Sequence, residues 1–309
     1  MTTTRSLEQR LKQRAGELGL DPVGITRLGP VESFKEFEAW LDRGYAGEMA
    51  YLARGAEKRS DTRLPFPGVS SAIVVGLDYG GKQPSGTIAR YARGDDYHDV
   101  MLDRLHQLHQ WIEQECDRPV RGKPYVDTGP ILERDLARKA GLGWIGKNTM
   151  LLNPGRGSFF FLGALLLDLE LEPDTPFEAD RCGTCTRCLD ACPTDALVAP
   201  RLLDATRCIS YLTIEHRSDI AAELQPLMGE LLYGCDICQD VCPWNVTFAR
   251  EARDQALAPR VENVDPDPTE LVHLSDEQFR ARFKGSPIKR AKRGGLARNA
   301  AIAIANRKD

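Results

Sequence analysis

Eight of the nine cysteines lie between Cys182 and Cys242, and their spacing constrains this chain more than any other feature. The first block is Cys182-Gly-Thr-Cys185-Thr-Arg-Cys188-Leu-Asp-Ala-Cys192-Pro193. In such a run three thiolates hold one iron–sulfur cluster and the fourth reaches across to another. The second block is Cys235-Asp-Ile-Cys238-Gln-Asp-Val-Cys242-Pro243, and Cys208 stands between the two. Eight thiolates make two sets of four. The crossing rule assigns Cys182, Cys185, Cys188 and Cys242 to one [4Fe–4S] cluster, and Cys192, Cys208, Cys235 and Cys238 to the other. Two clusters imply one-electron wiring, which leaves open where the electrons go.

Other uses of these cysteines fit less well. Zinc favours paired C-x2-C ligands closing one tetrahedron, which does not explain a triple followed by Cys-Pro. A disulfide framework needs an oxidising compartment. The start, MTTTRSLEQRLKQRAGELGL, is charged and amphipathic and lacks the apolar stretch of a secretory signal. Cys116 shares a helical apolar stripe with Leu105, Leu108 and Ile112, and is expected to be a buried, inert thiol.

The chain is long enough for two domains at 309 residues. No apolar run approaches the ~20 residues needed to span a bilayer, and SFFFLGALLLDLELE fits a long buried strand better. The net charge of −4 hides an asymmetry: Arg282–Asp309 carries nine Lys/Arg and one acid, a local +8. Such a tail is either an electrostatic footprint for nucleic acid or a solvated helix face.

The first ~175 residues alternate helical and strand patterns, which points to an α/β arrangement. Ser6–Leu18, Val31–Tyr51, Val100–Cys116 and Ile131–Ala140 read as helices. Ser71–Leu77, Lys123–Val126, Thr149–Leu152 and Ser158–Leu169 read as strands. An acidic, proline-bearing linker (Leu171–Ala179) leads to the cysteine module, which is small, as expected of a unit stabilised by its clusters. Glu277–Lys284 and Gly294–Asn306 are expected to be helical.

Several motifs fail. Gly141–Lys147 satisfies part of a phosphate-binding loop, but Asn148 occupies the hydroxyl position and the preceding stretch is helical, so nucleotide hydrolysis is rejected. Lys147 remains available to another cofactor. His98, His106 and His109 cluster without an H-E-x-x-H site, and the latter two fit an amphipathic helix. Asp127 follows a strand and precedes Thr128-Gly129-Pro130. Local pattern favours a turn or helix cap for it.

A different role for Asp127 comes from resemblance. Gly47–Arg54 (GEMAYLAR), Ala89–His98 (ARYARGDDYH), Val126–Arg134 (VDTGPILER), Ala140–Thr149 (AGLGWIGKNT), Gly157–Phe160 (GSFF), Arg207–Glu215 (RCISYLTIE) and Tyr233–Asn245 (YGCDICQDVCPWN) together resemble the epoxyqueuosine reductases, over nearly the whole chain. The resemblance implies a corrinoid enzyme, related to reductive dehalogenases, that uses cobalamin and two [4Fe–4S] clusters to convert epoxyqueuosine at the tRNA wobble position to queuosine. It implies an α+β fold with a nitroreductase-like cobalamin-binding domain (1–175), a ferredoxin-like module (176–250) and a short helical, basic C-terminal segment (251–309), with room for only a few helices of any HEAT-like extension. The D-x-H-x-x-G corrinoid motif is incomplete: Asp96-Tyr97-His98 carries its first two marks, but Met101 stands where glycine belongs. A protein histidine below the cobalt is therefore not expected.

In that setting Asp127 is the expected proton donor to the opening epoxide. An ordinary aspartate is ionised at neutral pH, so the role calls for a dry pocket that raises its pKa. Arg59, Tyr97, Lys147, Ser158 and Ser210, with Asp127, are expected to line the corrinoid. Arg217, Lys289, Arg290, Lys292 and Arg293 are expected to meet the tRNA backbone. A low-potential electron donor of unknown identity is also expected, with no membrane association and a monomeric state, and the missing export signal together with a tRNA substrate gives a cytoplasmic location as the expectation. Competing readings are a reductive dehalogenase and a non-catalytic ferredoxin-type electron carrier.

Overall fold

The computed structural model describes residues 5–307. The first four residues and Lys308-Asp309 of the basic tail lie outside the described residues. Helix α1 (Leu7–Glu17) opens on a capping box in which Ser6 and Gln9 satisfy each other's backbone N–H. Strand β1 (Val23–Arg27) follows; its Gly24 hides the alternation that would reveal it in sequence, and a Cβ there would stand 2.0 Å from the Ala140 carbonyl oxygen. The expected Val31–Tyr51 helix is instead α2 (Phe34–Asp42) and α3 (Ala50–Arg54). Gly44 and Gly47, at φ 72° and 56°, break it between them.

Next come α4 (Ala56–Ser60), β2 (Ser71–Asp78), α5 (Tyr97–Cys116), β3 (Gly122–Tyr125), α6 (Glu133–Lys139), the short pair β4 (Trp144–Ile145) and β5 (Leu151–Leu152), and β6 (Phe160–Leu167). The central sheet runs β1-β2-β6-β3 with every pair antiparallel. The helix–strand alternation therefore does not build a parallel α/β sheet; the fold is α+β. Successive side chains of a strand face opposite ways. Ile73 and Val75 of β2 and Leu165 and Leu167 of β6 meet Leu11 of α1 and Leu105, Leu108 and Ile112 of α5. Ala72, Val74, Ala164 and Leu166 meet Leu136 and Ala137 of α6. Each such leucine or isoleucine contributes about 1.5–3 kcal/mol on burial, and the sheet ends are fixed accordingly. Cys116 is half-buried at the edge of the first layer.

The cysteine module consists of short elements: α7 (Arg187–Asp190), the hairpin β7 (Leu197–Ala199)–β8 (Leu202–Leu203), α8 (Ile209–Ile214), α9 (Ile237–Asp240) and α10 (Pro243–Phe248). It locks onto the sheet domain through Asn245. Asn245 Oδ1 accepts from Ser158 N at 2.6 Å, where Gly157 (φ 74°) leaves space that a Cβ would fill 2.0 Å from that oxygen. The final helices are α11 (Pro268–Val272), α12 (Asp276–Arg282) and α13 (Lys292–Asn306), with a 3-10 turn over Pro287–Ala291. They share a core with Ile88, Ala92, Leu232 and Tyr233, so the chain end closes back on both preceding regions. Among the described residues no helix is long and apolar enough to cross a membrane.

Candidate active site beside the cysteine module

After β3 the chain turns sharply through Val126–Pro130. Asp127 takes the left-handed conformation (φ 56°), which short polar side chains tolerate better than branched ones. Its N–H donates to Glu133 Oε1 at 2.7 Å. Asp127 is thus not the cap of α6, whose N-cap is Leu132 with no side-chain hydrogen bond. The turn leaves the carboxylate in an open recess: 62% of the side-chain surface is accessible, although protein lies close around it. Arg134 is likewise exposed and ringed by protein.

The N-terminus of α5 faces this carboxylate. Asp96 caps the helix, its Oδ1 accepting from His98 N at 3.2 Å and lying 2.7 Å from His98 Nδ1. The opposite nitrogen, Nε2, is 3.4 Å from Asp127 Oδ2 and is buried without a well-formed hydrogen bond. Tyr97 is stacked between Phe161 and His98, at 4.1 Å from each ring, and its hydroxyl reaches Asp127.

The electrostatics follow from this packing. Burial opposes charge on His98, but Asp127 and Asp96 outweigh it and raise its pKa to about 9. Burial would raise Asp127; the His98 hydrogen bond and charge, Tyr97 and Arg134 outweigh it, and the net direction is down. The expected upward shift of Asp127 is therefore corrected: the aspartate is neither dry nor alone. Glu133 moves the other way, pushed by burial and by Asp127 up to about 8. At neutral pH the site's mobile protons rest on His98 and Glu133.

Arg59 is a buried residue of α4 that donates to Gly55 O, at the start of the same helix, at 3.0 Å, and it lies within the field of Tyr51 and Glu133. The charge of Asp127 also acts on Tyr51 and Arg290. Arg290 sits 5.8 Å over the Tyr51 ring and grips Glu215 through two bonds of 2.8 and 2.9 Å. Arg217 donates to the carbonyls of Arg290 and Ala291 at 2.9 and 3.0 Å. Lys289 Nζ lies 2.7 Å from Asp96 Oδ2, and Arg293 donates to Asp276 at 3.0 Å. Of the five basic residues expected to meet tRNA, only the exposed Lys292 makes no ion pair or side-chain hydrogen bond among the described residues.

The cysteines fall into neighbourhoods. The charges of Cys242 and Cys182 act on Cys188, and those of Cys182 and Cys185 on Cys242. Cys208 and Cys192 act on Cys235; Cys235, Cys208 and also Cys188 act on Cys238. Cys238 in turn acts on Arg134, so the second neighbourhood borders the Asp127 recess. Donors point at the sulfurs: the amides of Tyr211 and Ser210 at Cys208, Ala196 N at Cys192 (3.3 Å) and Trp144 Nε1 at Cys182 (3.4 Å). Lys147 Nζ donates to Gly183 O and Cys185 O at 2.7 and 2.9 Å. The buried Ser158 Oγ donates to Gln239 Oε1 at 2.8 Å and accepts from Asn245 Nδ2 at 3.0 Å.

Residues 59–128 match the family model described as Epoxyqueuosine reductase QueG, DUF1730. The chain is 43% identical to the epoxyqueuosine reductase of Escherichia coli K12 over 97% of its own length and 81% of that protein's. It belongs to the epoxyqueuosine reductase family. This reductase is an oxidoreductase, and residues 181–245 form a 4Fe-4S double cluster binding domain. The Cyclobacterium marinum epoxyqueuosine reductase is 41% identical, with 97% of each chain covered. An epoxyqueuosine reductase solved with an epoxyqueuosine-modified tRNA-Tyr stem loop superposes with a TM-score of 0.90 at 33% identity, over 97% of this chain and 81% of that one. A Bacillus subtilis family member, described with its catalytic aspartate loop swung out of the active site, gives 0.86 at 30% identity, over 97% and 81%. Family membership removes the dehalogenase and electron-carrier readings.

Sequence reasoning set aside His98 and passed over Glu133 and Arg134. The signal was present: Asp96-Tyr97-His98 stood out as part of a failed corrinoid motif, and Glu133-Arg134 closed one of the family-like segments.

Proposed function

We propose that this reductase removes the epoxide oxygen of epoxyqueuosine at the tRNA wobble position, with a cobalamin in the Asp127 recess and electrons passed through two [4Fe–4S] clusters. What carries this reading is the position of Asp127: it opens onto a recess bordered by Arg134, which lies beside Cys238. The accessible Asp127 carboxylate and the exposed Arg134 offer polar groups to a macrocycle with polar edges. Bound cobalamin would supply a low-potential metal able to deliver two electrons to an epoxide carbon. Arg59, Tyr97 and Asp127 would face it. Lys147 and Ser158 spend their side-chain donors on the cluster loop and Gln239, and Ser210 gives its backbone amide to Cys208, so these three would act by shaping the cluster side.

Cys182, Cys185, Cys188 and Cys242 would hold the outer cluster, and Cys192, Cys208, Cys235 and Cys238 the cluster nearer the recess. An external low-potential donor would feed the outer one. We read residues 1–175 as the nitroreductase-like cobalamin-binding domain, 176–250 as the ferredoxin-like module and 251–309 as the basic helical segment. At the rim, Tyr51 under Arg290 offers a stacking platform for an unstacked base, and Arg217, Lys292 and Arg293 lie on or behind that rim. The relative solved with a modified tRNA stem loop supports this substrate. The described catalytic aspartate loop in the Bacillus subtilis protein supports Asp127.

The test is anaerobic turnover of the fully loaded protein with an epoxyqueuosine-containing stem loop, read by nucleoside mass analysis. Asp127→Asn is expected to retain iron, cobalamin and stem-loop binding while losing conversion. Normal conversion by the variant would remove Asp127 from the role.

A further inference from the structure

Epoxide removal consumes two electrons and two protons: both carbon–oxygen bonds break, a carbon–carbon double bond forms, and the oxygen leaves as water. Asp127 alone is a poor reservoir for those protons, because its neighbours keep it ionised. The structure shows what stands behind it. Four side chains from three distant segments form a polar row: Lys289 Nζ to Asp96 Oδ2 at 2.7 Å, Asp96 Oδ1 to His98 Nδ1 at 2.7 Å, and a looser contact of 3.4 Å from His98 Nε2 to Asp127 Oδ2. Asp96 is 3% exposed, and its backbone N–H is fixed at 2.8 Å by Gly285 O from the same C-terminal turn that carries Lys289. His98 Nε2 is the one end of this row lacking a well-formed hydrogen bond, and it points at the carboxylate that must act.

We propose that His98 stores the proton that Asp127 delivers, and that Lys289, acting through Asp96, is the positioning residue that keeps His98 aimed at Asp127. This rests on the reading of Asp127 as the donor to substrate. The Nε2 proton passes to Asp127 Oδ2 and from there to the oxygen as it leaves carbon; the buried Nε2 is recharged through Asp127, whose side chain is 62% exposed to water, and the second proton follows the same route. The electrons come from the external low-potential donor through the clusters. Asp96 accepts the Nδ1 proton, so once the imidazole has given up its Nε2 proton it stays in the Nδ1–H tautomer with a bare Nε2 facing Asp127, ready to take up the next proton. The groups facing His98 are Asp96 at its own helix end, Asp127 and Glu133 from the β3–α6 region with Arg134 beyond them, and Lys289 behind Asp96. Two carboxylates against one imidazole explain why it stays charged through neutral pH. Lys289 thereby changes role: the sequence offers it as a phosphate contact, whereas its ammonium is bound to a buried carboxylate.

The experiment uses cluster- and cobalamin-loaded protein, with the bound single-turnover rate on the epoxyqueuosine stem loop measured against pH and stem-loop affinity measured separately. The wild-type rate is expected to fall as pH rises through about 9, where His98 loses its proton. His98→Gln should lose that limb and roughly 10²-fold in bound rate, with affinity within about twofold. Asp96→Asn should move the limb to lower pH, because one of the two stabilising carboxylates is gone. Lys289→Met should slow the bound rate roughly tenfold at near-constant affinity, and Lys289→Arg, which keeps charge and donor, should recover most of it. Visible cluster and corrinoid absorption establishes that each variant is folded and loaded. A wild-type rate and basic limb in His98→Gln would overturn the proton store. A Lys289→Met variant that binds weakly but reacts normally once bound would overturn the positioning role. An active Asp127→Asn variant would instead overturn the function on which both rest.

Discussion

Replacing Glu133 with glutamine isolates the electrostatic cost of crowding two carboxylates into one recess. Glu133 is held protonated up to about pH 8, against an ordinary 4.5, by burial first and by Asp127 second. Below pH 4.5 it is protonated in both folded and unfolded chains and contributes no pH dependence. Between the two values the unfolded chain releases its proton first, so stability falls as pH rises; above 8 both states are ionised and the penalty is complete. The whole shift corresponds to about 5 kcal/mol. Asp127 is itself compensated by His98, and the recess admits water, so about 2 kcal/mol is the expected effect, or roughly 4 °C in melting temperature for a chain of this size. Glutamine cannot ionise, yet it keeps the oxygen that accepts the Asp127 N–H. Anaerobic thermal melts of cluster-loaded protein from about pH 5 to about pH 9 should therefore show Glu133→Gln matching wild type at the acidic end and melting higher at the basic end. Parallel curves for the two proteins across that range would refute the reasoning.

Asn245→Ala should leave Ser158 N buried without a partner and remove one of the donors to Gln239 O, costing about 1–3 kcal/mol and loosening the cysteine module, which iron content after mild heating would report. Within the C-terminal segment, Arg253, Arg280, Lys284 and Lys292 are exposed cations without an ion pair among the described residues, and Lys292 is the one of these expected to meet tRNA, so stem-loop binding should lose just under one unit of salt slope on Lys292→Ala. Arg293→Ala, whose guanidinium already faces Asp276, should lose much less, and equal losses would count against a tRNA contact specific to Lys292.

The sequence makes the double-cluster domain legible because ligand spacing around a cluster is a local, covalent constraint. It makes α5 legible because Leu105, Leu108 and Ile112 repeat at helical spacing and all go inside. It does not show that β2 and β6 are antiparallel neighbours, since pairing between Ser71 and Leu167 leaves no local trace. Nor does it show the pKa of Asp127, whose direction depends on His98, Tyr97 and Arg134 arriving from two other stretches of chain. The Asp96–His98 step is local and readable; its continuation to Lys289 is not, because a lysine in a basic run looks the same whether it faces phosphate or a buried aspartate.

A carboxylic acid kept permanently neutral would carry its proton to the substrate but would be a weak acid. An aspartate ionised beside a charged histidine reverses that trade. Once protonated, Asp127 is a strong acid facing a developing alkoxide, and the proton it needs is already within 3.4 Å on His98. Such an arrangement is stable only if the remaining charges balance. Asp96 is matched by Lys289, Asp127 by His98 and Arg134, and Glu133 relieves the site by staying protonated. The basic C-terminal segment thus sets the half-exposed Lys289 ammonium against the buried Asp96, while its apolar side chains share a core with Ile88 and Ala92.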